Sequence, residues 1–296
     1  MARGFVIWVR QLRMHQWVKN LLLFVPALTS FRFLEVNIWS ELLIAFAAFS
    51  LIASAVYIVN DVVDAPNDRK HASKKNRPIA AGRISPALGL WVAAALILEG
   101  LALGYWAGTE FMYVLAIYLV ATFAYTFWLK RTVLVDCLTL AGLYTIRVIA
   151  GAVVTGIALS FWLLAFSIFF FASLAWVKRY AELEVLRATG KTKADGRAYS
   201  VSDQPLILAF GTMSAFIAVL IFALYLDSDA IKALYSVPEI GWLAIPLMMY
   251  LIGRIWLKAH RGLMLEDPII FVLRDFASLL TLACIAGSLY LAHAGW

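Results

Sequence analysis

Residues 42–69 read LLIAFAAFSLIASAVYIVNDVVDAPNDR. The run from Leu42 to Val59 carries no charge and is long enough to cross a bilayer as a helix. It ends on Asn60, Asp61, Asp64 and Asp68, and cations follow from Arg69 onward. Carboxylates at such a boundary are costly unless they face a polar cavity or bind something. On a helix the three aspartates stand at i, i+3 and i+7, within about 60° of one another. Like charges on one face repel unless a cation neutralises them. All-oxygen donors suit a hard divalent ion, Mg²⁺ above all where phosphates complete its shell. The alternative is a solvated helix end whose acids pair with Arg69, Lys70, Lys74 and Lys75.

The rest of the chain places this helix in a membrane. Of its 296 residues 64% are hydrophobic and 15% charged, and the mean hydropathy is +0.86. Soluble domains carry about 25% charge, so the composition is that of an all-α polytopic membrane protein. The two cysteines, Cys137 and Cys284, lie in apolar runs and suit small buried residues rather than a disulfide or a metal pair. Arg3, Arg10, Arg13 and Lys19 near the amino terminus do not look like a cleavable signal. A net charge of +7 held in short loops between spans argues against nucleic acid as a partner.

Hydropathy predicts about nine spans, near residues 20–36, 39–60, 86–107, 110–129, 134–156, 159–178, 205–226, 239–257 and 272–294. Pro26 interrupts the first. The loops near 61–85, 178–204 and 254–275 hold most of the cations, with Lys130 and Arg131 between the fourth and fifth spans. By the positive-inside rule these loops and the amino terminus are cytoplasmic and the carboxyl terminus is outside. The polar candidates for chemistry therefore gather on one side, around a cavity expected to open to the cytoplasm. Residues 1–296 read as a single transmembrane domain in the inner (plasma) membrane, in contact with its lipids.

Further motifs surround the acids. Lys74 and Arg77 are spaced to converge on an anion held by metal there, while attraction to anionic lipid is the simpler use of such a run. Ser85-Pro86 is a helix start, cap then N1 proline. After the sixth span Lys178, Arg179 and Glu182 share a face at i, i+1 and i+4, and a local salt bridge at a snorkelling helix end would explain them equally well. Before the first span stand Gln16, Trp17, Lys19 and Asn20, with Trp17 and Lys19 suited to the interface. Arg147 lies inside an apolar span and needs a partner or an anionic ligand.

Together these residues carry a resemblance. The pattern Asn60-Asp61-x-x-Asp64-x-x-x-Asp68 in a nine-span chain resembles the UbiA superfamily of intramembrane prenyltransferases. That family's second acidic motif is missing, and Lys178-Arg179-Tyr180-Ala181-Glu182-Leu183 stands in its place. With Gln16-Trp17-Val18-Lys19-Asn20, Asp68-Arg69-x-His71-x-x-Lys74-x-x-Arg77-Pro78-Ile79-Ala80-x-Gly82 and Leu143-Tyr144-Thr145-Ile146-Arg147-x-x-Ala150-Gly151, the chain is similar to the branch of decaprenyl-phosphate phosphoribosyltransferases. The likeness runs from about residue 10 to 275. Met14 and Ala72 replace prolines usual in that branch, and Pro66 is expected to end or kink the acid helix near Asp64. Some relatives of the branch carry a fused phosphatase domain, for which this length is expected to leave no room.

The resemblance implies an enzyme using 5-phosphoribosyl-1-diphosphate as donor and a polyprenyl phosphate as acceptor. It implies Mg²⁺ on Asp61, Asp64 and Asp68, with Asn60 orienting an acid or touching the ribose. Lys19, Asn20, Lys74, Arg77, Lys130, Arg147, Lys178, Arg179 and Glu182 are its implied substrate residues, and Trp17, Phe24, Trp162 and Phe166 line a groove for the lipid. Two other classes remain: an ordinary prenyltransferase moving a polyprenyl group from its diphosphate to an aromatic or isoprenoid acceptor, and a transporter. The first should keep two acid sets. The second should spread its charges through both leaflets or use paired broken helices.

Overall fold

The computed structural model describes residues 2–70, 74–193, 198–229, 234–264 and 267–295. His71 and Ala72 of the loop motif lie outside the described residues, as does Arg197. The described chain is helical, with one isolated bridge between Lys193 and Ser200. Eight described helical stretches are long and apolar enough to cross a membrane: Asn37–Asp68, Pro86–Ala107, Thr109–Phe127, Val135–Val154, Phe161–Ala188, Val201–Leu226, Pro238–His260 and Phe276–Ala294. The all-α, multi-pass architecture read from composition is the observed one.

The expected first span is the one that departs. Residues 20–36 are not a continuous helix. A 3-10 helix covers Met14–Phe24, a short α-helix Val25–Thr29 and a 3-10 turn Arg32–Leu34. Pro26 sits in the first turn of Val25–Thr29, where its missing N–H costs nothing, and Phe31 turns the chain at φ 56°. A hydropathy window sees the apolar content of this stretch and not its breaks.

By compactness the chain falls into two units, Met1–Arg131 with Leu143–Leu159, and Thr132–Gly142 with Ser160–Trp296. In the first unit we label the helices α1 (Ala2–Leu12), α3 (Asn37–Asp68), α4 (Pro86–Ala107) and α5 (Thr109–Phe127), with α2 the short Val25–Thr29. α3 is the central element. Its Leu42, Ala45, Ala48, Phe49 and Ile52 pack with Leu23, Phe111, Leu115, Tyr118 and Ala150. Phe49 lies 4.8 Å from the Tyr118 ring and 5.9 Å from Phe111. α4 begins as its sequence dictates: the Ser85 hydroxyl accepts from the Leu88 N–H at 3.2 Å, with Pro86 at N1. The closest backbone approach is at Gly151, where a Cβ would stand 1.9 Å from the Leu23 carbonyl oxygen, so only glycine fits.

Pro66 does not break α3. The helix continues to Asp68 with the proline inside it. The ring removes one backbone hydrogen bond. Beyond it the Arg69 N–H reaches the Ala65 carbonyl at 3.1 Å, and side-chain contacts at Asp68 hold the turn. The second unit is built on α7 (Phe161–Ala188) and α8 (Gln204–Leu226) with the helices Ala244–His260 and Phe276–Ala294. Gly211 lets α8 approach Trp176 and Trp256, and the Trp256 indole donates to the Ser173 hydroxyl at 3.0 Å. α6 (Val135–Val154) opens in this unit and runs on into the first.

Candidate active site

At the carboxyl end of α3 the i, i+3, i+7 spacing brings Asp61, Asp64 and Asp68 to one face, and each carboxylate holds a cation. Arg77 reaches both Asp68 (2.6 Å) and Asp61 (3.2 Å) through one nitrogen, Nη1. Asp61 also accepts from Arg13 Nη2 at 2.5 Å and from the Gln11 amide at 3.0 Å. Asp64 takes both its oxygens to Lys130 Nζ, at 2.8 and 3.0 Å. Asn60 ties the last pair together, donating to Asp64 at 3.0 Å and accepting from Lys130 at 3.1 Å. Asp61 and Asp68 are buried, whereas the Asp64 side chain keeps 27% of its surface exposed. Asp61 and Asp64 thus find Arg13 and Lys130 from distant parts of the chain, and Arg77 of the following loop serves Asp61 and Asp68.

Gln11 and Arg13 were not among the site residues expected from sequence. Arg13 sits between α1 and the 3-10 helix with φ 51°, a conformation a non-glycine residue adopts at a cost of order 1 kcal/mol. Its guanidinium lies 4.9 Å over the Tyr57 ring. Gln11 is wholly buried, and its carbonyl oxygen has no hydrogen-bond partner among the described residues. An orphaned buried acceptor beside a carboxylate and a partly open Asp64 fit a hard cation by donor chemistry. Among the described residues no three acidic or metal-ligating side chains form a ready cage.

The other expected residues of this unit fall into a separate buried network. Arg147 donates Nε to the Asn20 amide oxygen at 2.9 Å, Nη2 to the Tyr118 hydroxyl at 2.7 Å and Nη1 to the Leu143 carbonyl. Its guanidinium also faces the rings of Tyr118 and Tyr144, 4.8 and 5.8 Å away. Asn20 donates to Ser50 at 3.0 Å, and Lys19 Nζ stands 5.7 Å over Tyr144. None of the Arg147 contacts is an acid of the first cluster. Lys74 is half-buried in the loop turn Lys74–Asn76. Of the groove candidates, Trp17 donates to Ser54 at 2.9 Å and Phe24 packs on Trp39 and Phe46.

In the second unit Arg179 is buried. It bridges Asp136, at 2.6 Å, and Glu182 one turn along α7. The Tyr199 hydroxyl donates to Asp136 at 2.8 Å and accepts the Leu134 N–H at 2.7 Å. Burial, with Cys137 and Asp136 beside it, pushes that phenol well above its ordinary pKa, so it stays a neutral donor. Lys178 points elsewhere, to Asp267 at 3.4 Å, and is 42% exposed. Trp162 and Phe166 lie on α7 against Phe161 and Phe170. Asp136 escaped the sequence reading although the signal was present: a carboxylate in the first turn of an apolar span is as anomalous as Arg147.

An acid-ended central helix in an all-α membrane fold defines a class, and the chain matches it directly. Residues 22–268 match the model of the UbiA prenyltransferase family, and the chain belongs to that family. More particularly, it is 35% identical over 288 residues to a decaprenyl-phosphate phosphoribosyltransferase of Mycobacterium tuberculosis, covering 94% of this chain and 91% of that one. It is 38% identical over 96% of its length to an uncharacterized protein of Sinorhizobium fredii, and spans 55% of the length of that relative. Among solved structures, a UbiA homologue from Archaeoglobus fulgidus bound to GPP and Mg²⁺ shares the fold, with a TM-score of 0.69 at 15% identity over 96% of this chain and 99% of that one.

Proposed function

We propose that the chain transfers the 5-phosphoribosyl group of 5-phosphoribosyl-1-diphosphate to a polyprenyl, decaprenyl-like phosphate and releases diphosphate. The observation that carries the reading is the pairing of Glu182 with Arg179. Where an ordinary superfamily member would hold a second set of metal-binding acids, this turn presents Lys178 and Arg179 with its carboxylate already engaged. One acid set then serves one diphosphate. The name borne by the Mycobacterium tuberculosis relative supports the choice of donor and acceptor.

In this reading Asp61 and Asp64 would hold Mg²⁺, Asp68 acts with them through Arg77, and Asn60 orients Asp64. The ion supplies charge neutralisation for the departing diphosphate. Lys74, Arg77, Lys130 and Lys178 bind phosphate oxygens, where charge-assisted hydrogen bonds are strongest. Lys19 and Asn20 are assigned to substrate as well, with Arg147 fixing Asn20. Arg179 positions Glu182 from within the buried pair. The bond from the anomeric carbon to diphosphate breaks with its electrons leaving on diphosphate, and an oxygen of the lipid phosphate forms the new bond. That oxygen is already ionised, so no strong general base is required. Residues 1–296 work as one domain, with the chemistry on the cytoplasmic face of a bacterial inner membrane, as the basic loops favour.

Membranes containing the chain are incubated with donor labelled in the ribose and with decaprenyl phosphate. The expected result is label in the organic phase, abolished by EDTA and restored by Mg²⁺. Transfer of a prenyl group from polyprenyl diphosphate to an aromatic acceptor, with no labelled lipid, overturns it.

A further inference from the structure

The acid cluster of the first unit is electrically complete without a metal. Asp61, Asp64 and Asp68 face Arg13, Arg77 and Lys130, three charges against three. A divalent ion arriving alone would have to displace at least one of these cations into a partly apolar setting. Yet the arginines are incompletely used. Arg13 engages its acid through Nη2 alone, and Arg77 engages two acids through Nη1 alone. A guanidinium has five N–H donors in a planar fork suited to phosphate oxygens. The remaining nitrogens of both side chains make no hydrogen bond among the described residues. Beside them the buried Gln11 carbonyl oxygen is likewise unpartnered, an acceptor within a turn of charge that suits a cation and not an anion.

We propose that Arg13, Arg77 and Lys130 are resident counter-ions that exchange partners: they pass from the aspartates to a diphosphate as the aspartates, with Gln11, pass to the metal. Metal and diphosphate then enter as a unit, and neither binds well alone. Gln11, at the end of α1, and Arg13, just beyond it, become parts of the diphosphate–metal site. The inference rests on the proposed function only for a metal and a diphosphate, not for the ribose or the lipid.

The test uses the full chain in nanodiscs of uncharged lipid, with Mn²⁺ as the metal and inorganic pyrophosphate as the only anion. Bound Mn²⁺ is read by electron paramagnetic resonance at matched free Mn²⁺, with and without pyrophosphate. The wild type should bind the metal at least about 10-fold more tightly when pyrophosphate is present, within the usual range of coupling between sites. Arg13→Gln should bind Mn²⁺ alone more tightly than the wild type, because the cluster gains net negative charge, and should lose most of the enhancement. Lys130→Gln repeats the measurement at a second position should the first variant fold poorly. Equal metal affinity with and without pyrophosphate overturns the exchange, as does a weaker metal-only affinity in both variants. Phosphoribosyl transfer without this coupling removes the exchange and leaves the function standing, whereas coupling without transfer does the reverse.

Discussion

At the end of α3, two arginines each lend one nitrogen to buried aspartates and keep the rest of their forks unengaged. On α7, Arg179 lies buried between Asp136 and Glu182, and Asp136 is further held by Tyr199. Both places neutralise acids with guanidinium groups. They differ in accessibility at the arginines: Arg13 and Arg77 are 18% and 25% exposed and Arg179 is at 2%, while Asp61 and Asp136 are both buried and Glu182 is the open end of the second cluster at 34%. An ion pair that retains donors and some solvent can change partners, whereas a sealed one can only hold elements together. In the proposed reading the first cluster is the one that exchanges partners, while the pair of Arg179 and Asp136 holds α7 to α6.

Arg179→Ala presses hardest on that distinction. Removing one partner of a sealed pair leaves Asp136 uncompensated and should cost about 3–5 kcal/mol of stability, read as a lower thermal midpoint in detergent. A midpoint close to wild type would erase the difference between the two clusters. Next, Asp64→Asn should lower that midpoint less than Arg179→Ala does, since Asp64 is partly exposed, while turnover of the folded protein falls on the order of 10²-fold or more because a ligand for the metal is lost. Near-normal turnover in excess chelator removes the metal from the site.

Arg147→Lys probes a third arrangement, buried like Arg179 yet belonging to the first unit. Lysine keeps the charge and loses the fork that serves Asn20, Tyr118 and the Leu143 carbonyl, so stability should drop by about 1–3 kcal/mol. The folded fraction should keep part of its activity, reduced because Asn20 loses the group that fixes it. Loss of activity at unchanged stability would make Arg147 a substrate contact instead.

The smallest effect concerns Asp275, which caps Phe276–Ala294 and pairs with Arg254 through two bonds of 2.7 and 2.8 Å. Those bonds hold its carboxyl below the ordinary aspartate pKa despite some burial, with Ser278 assisting. A depressed folded-state pKa stabilises at neutral pH, and the contribution fades as pH falls below about 4 toward the folded value. Thermal midpoints between pH 7 and pH 3 should therefore fall more for the wild type than for Asp275→Asn. Parallel curves would show the pair to be neutral.

What could be read without coordinates was local. The span ending in Asn60 is one continuous run of sequence, and the face shared by the aspartates and the start of α4 at Ser85 each depend on residues within about two turns of one another. The cations that answer those aspartates do not: Arg13 lies 48 residues from Asp61, and Lys130 lies 66 from Asp64. Lys130 was expected near substrate through family likeness and turned out to hold Asp64 and Asn60. Arg13 was visible as a charge but had no stated role. Pro66 does not end the helix at Asp64 as expected, because a proline rule applied to an isolated helix ignores the ionic contacts of Asp68 in the turn beyond it. The first expected span was legible in its apolar content but not in its form, a broken path of 3-10 and short α segments instead of one helix.

Gly151 has no functional group, yet the Leu23 backbone rests where its side chain would be. The strand of 3-10 helix that it admits is also the one bearing Lys19 and Asn20. A methyl group at that position would act as a wedge, levering those two residues out of register with Arg147 while touching neither. A genetic screen would score such a lesion as a loss of activity and point to chemistry at residue 151. The fault would instead be one of clearance, curable by a compensating change that gives Leu23 room and by no repair of the reacting groups.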